Sequence, residues 1–185
     1  MIVFEKASPE NTRPTLEIAI AKAKELKCDI VLSTNEGNSA RTALAIGQEM
    51  GFEGKVIAIT AVYGMKGPGE NAMTEETRKQ LEADGVVLVT AAHALSGAER
   101  SISGKFSGTY PVEVMAHTLR LLSQGVKVCV EIGAMAMDAG KLPYGKPAVF
   151  LGGTGRGLDT ACVMTAGYTA AIFNTRIHEV LCKPW

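Results

Sequence analysis

The sequence predicts an α/β fold: a three-layer, mostly parallel and doubly wound sheet with helices on both faces and an antiparallel edge. Short runs of β-branched residues alternate with longer segments whose apolar residues recur every three or four positions, which is typical of a parallel sheet wrapped by helices. With 185 residues, 46% of them hydrophobic, the chain can bury one sizeable core. No repeat or linker interrupts the alternation, so we expect a single domain over residues 1–185.

The helices and strands are predicted from these runs and from the residues that begin or end them. β-branched and apolar runs predict strands at residues 2–4, 29–33, 55–60, 86–90, 146–152, 160–165 and 176–181. Apolar periodicity predicts helices at residues 14–27, 39–50, 74–84, 111–125 and 126–140. Pro14 suits a first helical turn, Gly51 ends the second helix, and the Thr74 hydroxyl can cap the third.

Residues 126–140, VKVCVEIGAMAMDAG, fit both a strand over VKVCVEI and a helix over the whole segment. The helix is favoured because Val128, Ile132, Met135 and Ala139 recur at three and four, and Gly140 supplies a stop. Beyond it, a short glycine turn joins the last two buried runs and predicts an antiparallel pair. Alternating polar and apolar residues at 176–181 predict a final edge strand.

Charge and composition exclude several classes of protein. The 19 Lys and Arg are balanced by 19 Asp and Glu without a basic cluster, so nucleic acid is not an expected partner. No apolar run approaches the roughly 18–20 residues of a spanning helix, and no signal-peptide pattern is present. We expect no membrane contact and a cytoplasmic location. The cysteines lack metal-ligand spacing and are expected to be reduced and mostly buried: Cys28, Cys129, Cys162 and Cys182.

The 20 glycines concentrate directly after four predicted strands, those at 29–33, 55–60, 86–90 and 146–152. In a doubly wound sheet the parallel strands end on one side, here called the carboxyl end of the sheet, and ligands bind there. The alternative is that these glycines only end strands and form turns, without contacting a ligand. Four such loops that also carry hydroxyls, amides or charges nevertheless predict a ligand site.

The loop STNEGNSA, residues 33–40, lies between a strand and a helix. Gly37 permits close backbone approach, and the first amides of the helix have no partner, so the loop suits an anion, phosphate above all. It lacks the GK[ST] of a nucleoside triphosphate clamp. A plain capped helix is the alternative. The predicted contacts are Ser33, Thr34, Asn35, Gly37, Asn38, Ser39, Ala40 and, at the end of the next strand, Thr60.

The segment GGTGRG, residues 152–157, does not predict a dinucleotide site. Its glycines are spaced GxGxG, and a strand-like run follows where the fingerprint needs a helix. A tight turn that brings Arg156 to the carboxyl end is the simpler interpretation; Arg156 either binds a second acidic group or is merely solvated. The candidate contacts in this turn are Gly153, Thr154, Gly155 and Arg156.

The long polar stretch at 91–110 carries His93, Ser96, Glu99, Arg100 and Lys105. Catalysis by Ser96 is not favoured, because no GxSxG elbow is present and sequence proximity does not assemble a triad. We interpret the stretch as a mobile loop that folds over a ligand through His93, Ser96 and Arg100 or Lys105. The other two histidines, His117 and His178, are expected to be structural.

The order of elements resembles the carboxyl-terminal domain of pyruvate kinase and, more closely, the small stand-alone proteins called pyruvate kinase alpha/beta domain-like. The matching segments are DIVLSTNEGNSARTA, KVIAIT and DAGKLPYGKPAVFLGGTGRGLDTACVM, and the resemblance spans about residues 11–164. It supports the helical interpretation of residues 126–140. The kinase's catalytic residues and metal ligands belong to its barrel domain, so the resemblance implies neither phosphoryl transfer from phosphoenolpyruvate nor a resident metal.

Asn35, Glu36 and Asn38 stand where the kinase's sugar-bisphosphate loop commonly has basic or hydroxyl residues, so that effector is not implied. Relatives of the stand-alone family are associated with flavin mononucleotide (FMN) at this end of the sheet. The resemblance therefore implies binding of a phosphorylated small molecule, FMN as the specific candidate, in a homo-oligomer. Two alternatives stay open: a small-molecule enzyme that uses residues 93–105, and a regulatory or structural oligomer module without a ligand.

Overall fold

A seven-stranded sheet forms the middle layer of the protein. The computed structural model describes residues 1–185. In chain order the strands are β1 (Ile2–Phe4), β2 (Ile30–Thr34), β3 (Val56–Thr60), β4 (Val87–Thr90), β5 (Ala148–Gly152), β6 (Thr160–Thr165) and β7 (Arg176–Pro184). Across the sheet their order is β1-β7-β6-β5-β2-β3-β4.

Strand direction follows the prediction. β5, β2, β3 and β4 are mutually parallel, so all four end at the carboxyl end of the sheet. β6 runs antiparallel to both of its neighbours, and β1 adds to β7 in parallel. The mostly parallel sheet with an antiparallel edge is confirmed.

Helices cover both faces of the sheet. They are α1 (Thr12–Leu26), α2 (Asn38–Glu49), α3 (Glu75–Ala83), α4 (Glu99–Phe106), α5 (Pro111–Arg120) and α6 (Gln124–Asp138), with 3₁₀ turns at Pro9–Asn11 and Thr169–Asn174. α1, α2 and α3 pack with the Leu32 side of the sheet in one core, whereas α5 and α6 pack with the Val31 side in another. This division follows from the period of two along a strand, which sends successive side chains to opposite faces.

Three details differ from the expectations. The strand expected at the edge of the sheet, β7, lies between β1 and β6, because the short β1 pairs with its outer side. The polar stretch after β4 contains helix α4, where a mobile loop was expected; its first-turn Glu99 and last-turn Lys105 complement the helix dipole. The helix that begins at Pro111 ends at Arg120, short of residue 125. A new helix, α6, begins after Ser123, because the Ser123 hydroxyl accepts a hydrogen bond from the Val126 amide (3.0 Å) and caps the helix.

The segment that fitted both a strand and a helix is helical, as α6, and almost every residue of it is buried. One side of α6 lies against β2, β3, β5 and β6, and α5 and the 3₁₀ turn at Thr169–Asn174 also pack on it, so apolar residues are needed on more than one side of the helix. The four cysteines are free; Cys129, Cys162 and Cys182 are buried and Cys28 is half-buried. Burial raises the pKa of the Cys129 thiol well above its ordinary value, which keeps this thiol protonated.

Candidate functional site

Three threonines form a row across the carboxyl end of the sheet. Thr34 of β2 is in register with Thr60 of β3, and Thr60 is in register with Thr90 of β4. Neighbouring strands lie about 4.8 Å apart. The Thr60 and Thr90 hydroxyls are 2.6 Å from each other, and Thr34 accepts the Gly37 amide at 3.1 Å. The row therefore lies on the side of the sheet covered by α2 and α3.

The start of α2 lies beside this row, and its geometry requires glycine. Gly37 has a φ of 95°, and a Cβ atom there would lie 2.9 Å from Thr77 Cγ2 and 3.0 Å from Leu81 Cδ1. No side chain caps the helix, which leaves the amides of Asn38, Ser39 and Ala40 without a capping acceptor. The Ala40 side chain is buried, whereas Asn35 and Glu36 point to solvent.

Arg78 of α3 is the main residue at this site that the sequence analysis missed. Its Nη1 atom donates to Thr90 Oγ1 at 3.2 Å. Nε and Nη2 are buried and have no hydrogen-bond partner. The carboxylate of Glu75 is 3.7 Å from Nε, within ion-pair distance but beyond hydrogen-bond distance, and the Glu75 side chain is largely exposed. Arg78 thus brings a partly buried cation, with two buried nitrogen atoms that lack hydrogen-bond partners, to the threonine row.

One signal could have identified Arg78. It precedes Leu81 by three positions, so both side chains lie on one face of α3, and Leu81 is fully buried. The segment EETRKQ nevertheless has the composition of a solvated helix surface, and that composition concealed the partly buried arginine.

A charged cluster lies on the opposite face of the sheet, between α6 and the segment after β4. Lys127 Nζ is 2.6 Å from Glu131 Oε2, His93 Nδ1 is 3.4 Å from the same oxygen, and the Leu95 amide donates to Glu131 Oε1 at 3.0 Å. Lys127 and Glu131 are buried. Burial alone would raise the pKa of Glu131, but His93 and Lys127 lower it to about 2.

The cluster lies near the carboxyl end because the first turn of α6 packs there. Gly125 sits against Thr160 so closely that any side chain at 125 would collide with it. Lys127 and Glu131 follow Gly125 by two and six residues, so both lie within about two helical turns of this contact.

The turn after β5 places the second group of predicted residues at the same end. β5 pairs in parallel with β2, so residues 153–157 lie beside the end of β2. The chain then enters β6 directly, as predicted. Buried Asp159, also missed from sequence, accepts the Thr154 amide and the Thr160 hydroxyl, both at 2.8 Å. Arg156 is exposed on the tip of the turn.

The predicted residues of the segment after β4 do not all lie together. His93 belongs to the charged cluster, whereas Arg100 is exposed on α4. Ser96 approaches His93 only through its backbone, with the Ser96 amide 3.2 Å from the His93 carbonyl. The Glu99 carboxylate accepts the Glu113 amide at the start of α5 (2.9 Å). A Ser-His-Glu triad is therefore not assembled.

Two cavities lie away from the threonine row. One of about 440 Å³ is at the amino end of the sheet, where β6 finishes, and its lining includes Tyr144, Thr165 and Tyr168. The other, about 330 Å³, lies between α5, α6 and β7 and includes Met115 and Ile177. Neither has a charged lining residue. Because a phosphate needs charge or amide donors, we place the candidate site by its chemistry.

Comparison with known proteins gives a distant similarity. No protein-family profile matches the sequence. A pyruvate kinase from Cryptosporidium parvum is 16% identical with a TM-score of 0.43, over 84% of this chain and 23% of that chain. A structure of Cryptosporidium parvum pyruvate kinase with ADP is 15% identical with a TM-score of 0.39, over 95% of this chain and 24% of the other.

This chain thus spans about a quarter of the length of those kinases. At such identities and TM-scores the likeness carries no conclusion about function, and the fold assignment rests on the strand order itself. Separately, none of the helices combines the length and the apolar character that crossing a bilayer requires.

Proposed function

We propose that this protein binds a phosphorylated small molecule, with FMN as the specific candidate, at the carboxyl end of the sheet. The observation that supports the proposal is Arg78, whose Nε and Nη2 atoms are buried without partners. A buried donor without an acceptor costs roughly 1–3 kcal/mol, and more when it is charged. A phosphate accepts two parallel hydrogen bonds from a guanidinium and would offset that cost.

Two further features favour an anion at this place. The uncapped amides of Asn38, Ser39 and Ala40 present the positive end of the α2 dipole. The Thr60 and Thr90 hydroxyls join Arg78 to the strand ends. Two strand spacings, about 10 Å, separate β2 from β4, so a phosphate above β3 would meet α2 from one side and Arg78 from the other.

The rest of the ligand would lie between the loops that follow β3 and β5. The loop after β3 is anchored at its base, where Asn71 donates to the Ala61 carbonyl at 2.7 Å and accepts the Met73 amide at 2.9 Å. Tyr63 and Met65 in this loop are exposed and can cover a planar group. Arg156 is placed to meet a second polar group of the ligand.

FMN titration of three proteins tests the proposal. Arg78→Met is expected to weaken FMN binding at least tenfold, because a charge-assisted hydrogen bond contributes about 1.5–3 kcal/mol. Lys79→Met is the matched control, since the neighbouring Lys79 is exposed and its loss changes net charge equally. Its affinity should stay within twofold of the unsubstituted protein.

Riboflavin and inorganic phosphate separate the phosphate from the ring. Riboflavin lacks the phosphate and should bind the unsubstituted protein and Arg78→Met equally weakly, while inorganic phosphate should compete with FMN. Equal FMN affinity in Arg78→Met and the unsubstituted protein would place the phosphate elsewhere. If neither FMN nor inorganic phosphate binds, the proposal is wrong.

A further inference from the structure

A second partnerless polar atom lies at the carboxyl end, on the α6 face of the sheet. Nε2 of His93 is buried and has no hydrogen-bond partner, although 31% of the side-chain surface is exposed. The exposed part of the imidazole therefore belongs to its other atoms, and Nε2 is on the inner side of the ring. His93 follows Thr90 by three residues, so this atom lies close to the end of β4.

The contacts of Nδ1 decide which kind of partner Nε2 needs. Nδ1 faces Glu131 Oε2 at 3.4 Å. Glu131 is ionised, because Lys127 stands 2.6 Å from it and its pKa is about 2, so its oxygens can only accept hydrogen bonds. Nδ1 must then carry the hydrogen. In the neutral imidazole the other nitrogen bears a lone pair and can only accept.

The groups around His93 supply no donor for that lone pair. Nε2 has no partner in the protein, and the Lys127 ammonium and the Leu95 amide both donate to Glu131. Lys127, Glu131 and the Leu95 amide thus fix the ring and leave Nε2 unmatched, at a cost of roughly 1–3 kcal/mol. An acceptor held in this way is suited to a ligand group that brings its own hydrogen.

We propose that His93 Nε2 is a specificity-determining acceptor for an N–H or O–H group of the ligand, with Glu131 and Lys127 as positioning residues that fix the ring. The assignment rests on the proposed function, since it describes the other end of the same ligand. It defines that ligand chemically: an anion at the Arg78 end and a hydrogen-bond donor at the His93 end. In oxidised FMN the ribityl hydroxyls and the ring N3–H group are such donors, and we assign this contact to N3–H, the one donor of the ring system.

Nitrogen NMR of the ligand-free protein tests the tautomer directly. At pH 8 an ordinary imidazole is neutral, and we expect His93 to carry its hydrogen on Nδ1 with Nε2 unprotonated. His93→Ala assigns the signal among the three histidines. Glu131→Gln should remove the preference for this tautomer. A hydrogen on Nε2 in the unsubstituted protein would overturn the assignment, and this result requires no variant to fold.

FMN and 3-methyl-FMN, which lacks the N3 hydrogen, test the ligand contact. The unsubstituted protein should bind FMN at least tenfold more tightly. His93→Ala should weaken FMN about tenfold and bind the two flavins equally, whereas the control His117→Ala, exposed on α5, should keep the preference. Equal binding of both flavins to the unsubstituted protein would overturn the assignment.

The two proposals fail in different ways. Arg78→Met should weaken both flavins by the same factor, since they share the phosphate. Failure of both flavins and of inorganic phosphate to bind would reject the proposed function, and the His93 assignment, which requires that ligand, would be rejected with it. Phosphate-dependent flavin binding without a preference for the N3 hydrogen would reject the His93 assignment alone.

Discussion

On the α3 face of the carboxyl end, Arg78 is a cation with two nitrogen donors that have no acceptor. On the α6 face, Lys127 and Glu131 neutralise each other, and the atom without a partner is the acceptor Nε2 of His93. The first arrangement keeps a charge available for a ligand, whereas the second uses its charges to hold one ring in place. The difference teaches that a charged side chain at the sheet indicates binding only when its buried hydrogen-bonding atoms lack partners.

Removal of Lys127 should produce the largest loss of stability. Lys127→Met leaves Glu131 as a buried carboxylate without its counter-ion, which should lower the free energy of unfolding by about 3–5 kcal/mol in urea denaturation. The double variant Lys127→Met/Glu131→Leu should recover much of that loss, because apolar pairs replace buried ion pairs at little cost. A loss below about 1 kcal/mol in the single variant would contradict the arrangement of the α6 face.

Acidification should lower the free energy of unfolding through Glu131 on the same face, by somewhat less than the loss of Lys127 does. The pKa of Glu131 falls from an ordinary 4.5 to about 2 on folding. A depressed carboxylate pKa stabilises the protein fully above the unfolded value, and this contribution is lost as the pH falls from about 4.5 to about 2. At 1.36 kcal/mol per pKa unit the loss is on the order of 3 kcal/mol.

Urea unfolding at pH 6, 4 and 3 measures this loss against two variants. Glu131→Gln should show a shallower decline between pH 6 and pH 3 than the unsubstituted protein. Glu76→Gln, a change at an exposed position of α3, should reproduce the unsubstituted decline. Parallel curves for all three proteins would show that Glu131 titrates as an ordinary carboxylate.

Arg78→Met should give the smallest effect on stability, and with the opposite sign. The variant removes two buried donors that lack acceptors, so the free energy of unfolding should rise by about 1 kcal/mol in ligand-free protein. Calorimetry without and with FMN measures both effects, since the added ligand should raise the melting temperature less in the variant. A loss of several kcal/mol without ligand would give Arg78 a structural role.

The sheet could be predicted from the sequence because its strands are buried. Runs such as KVIAIT are apolar over their whole length, which is typical of parallel strands covered on both faces. α4 could not be predicted, since ERSISGKF has one glycine and three hydroxyl or acidic residues, and its two apolar residues, Ile102 and Phe106, stay exposed instead of joining a core. Its position depends on Glu99, which caps the distant start of α5.

The geometry of the candidate site was predictable where the backbone defines it, as at Gly37, and ligand contact there stays a prediction. It was not predictable where a charged side chain is buried. Lys127 and Glu131 stand four residues apart in an otherwise apolar segment, and once that segment is taken as a helix the spacing indicates an ion pair. Its burial depends on packing against the segment after β4, which is 36 residues away from Glu131 at Leu95.

The Glu131 carboxylate faces three donors from two separate parts of the chain: His93, the Leu95 amide and Lys127. This shared contact has an evolutionary consequence. No one of positions 93, 127 and 131 can change without leaving a charge or a hydrogen bond uncompensated in the core. Homologous sequences should therefore vary at these positions jointly, replacing all three together or none, whereas Arg78 is free to vary alone wherever the ligand changes.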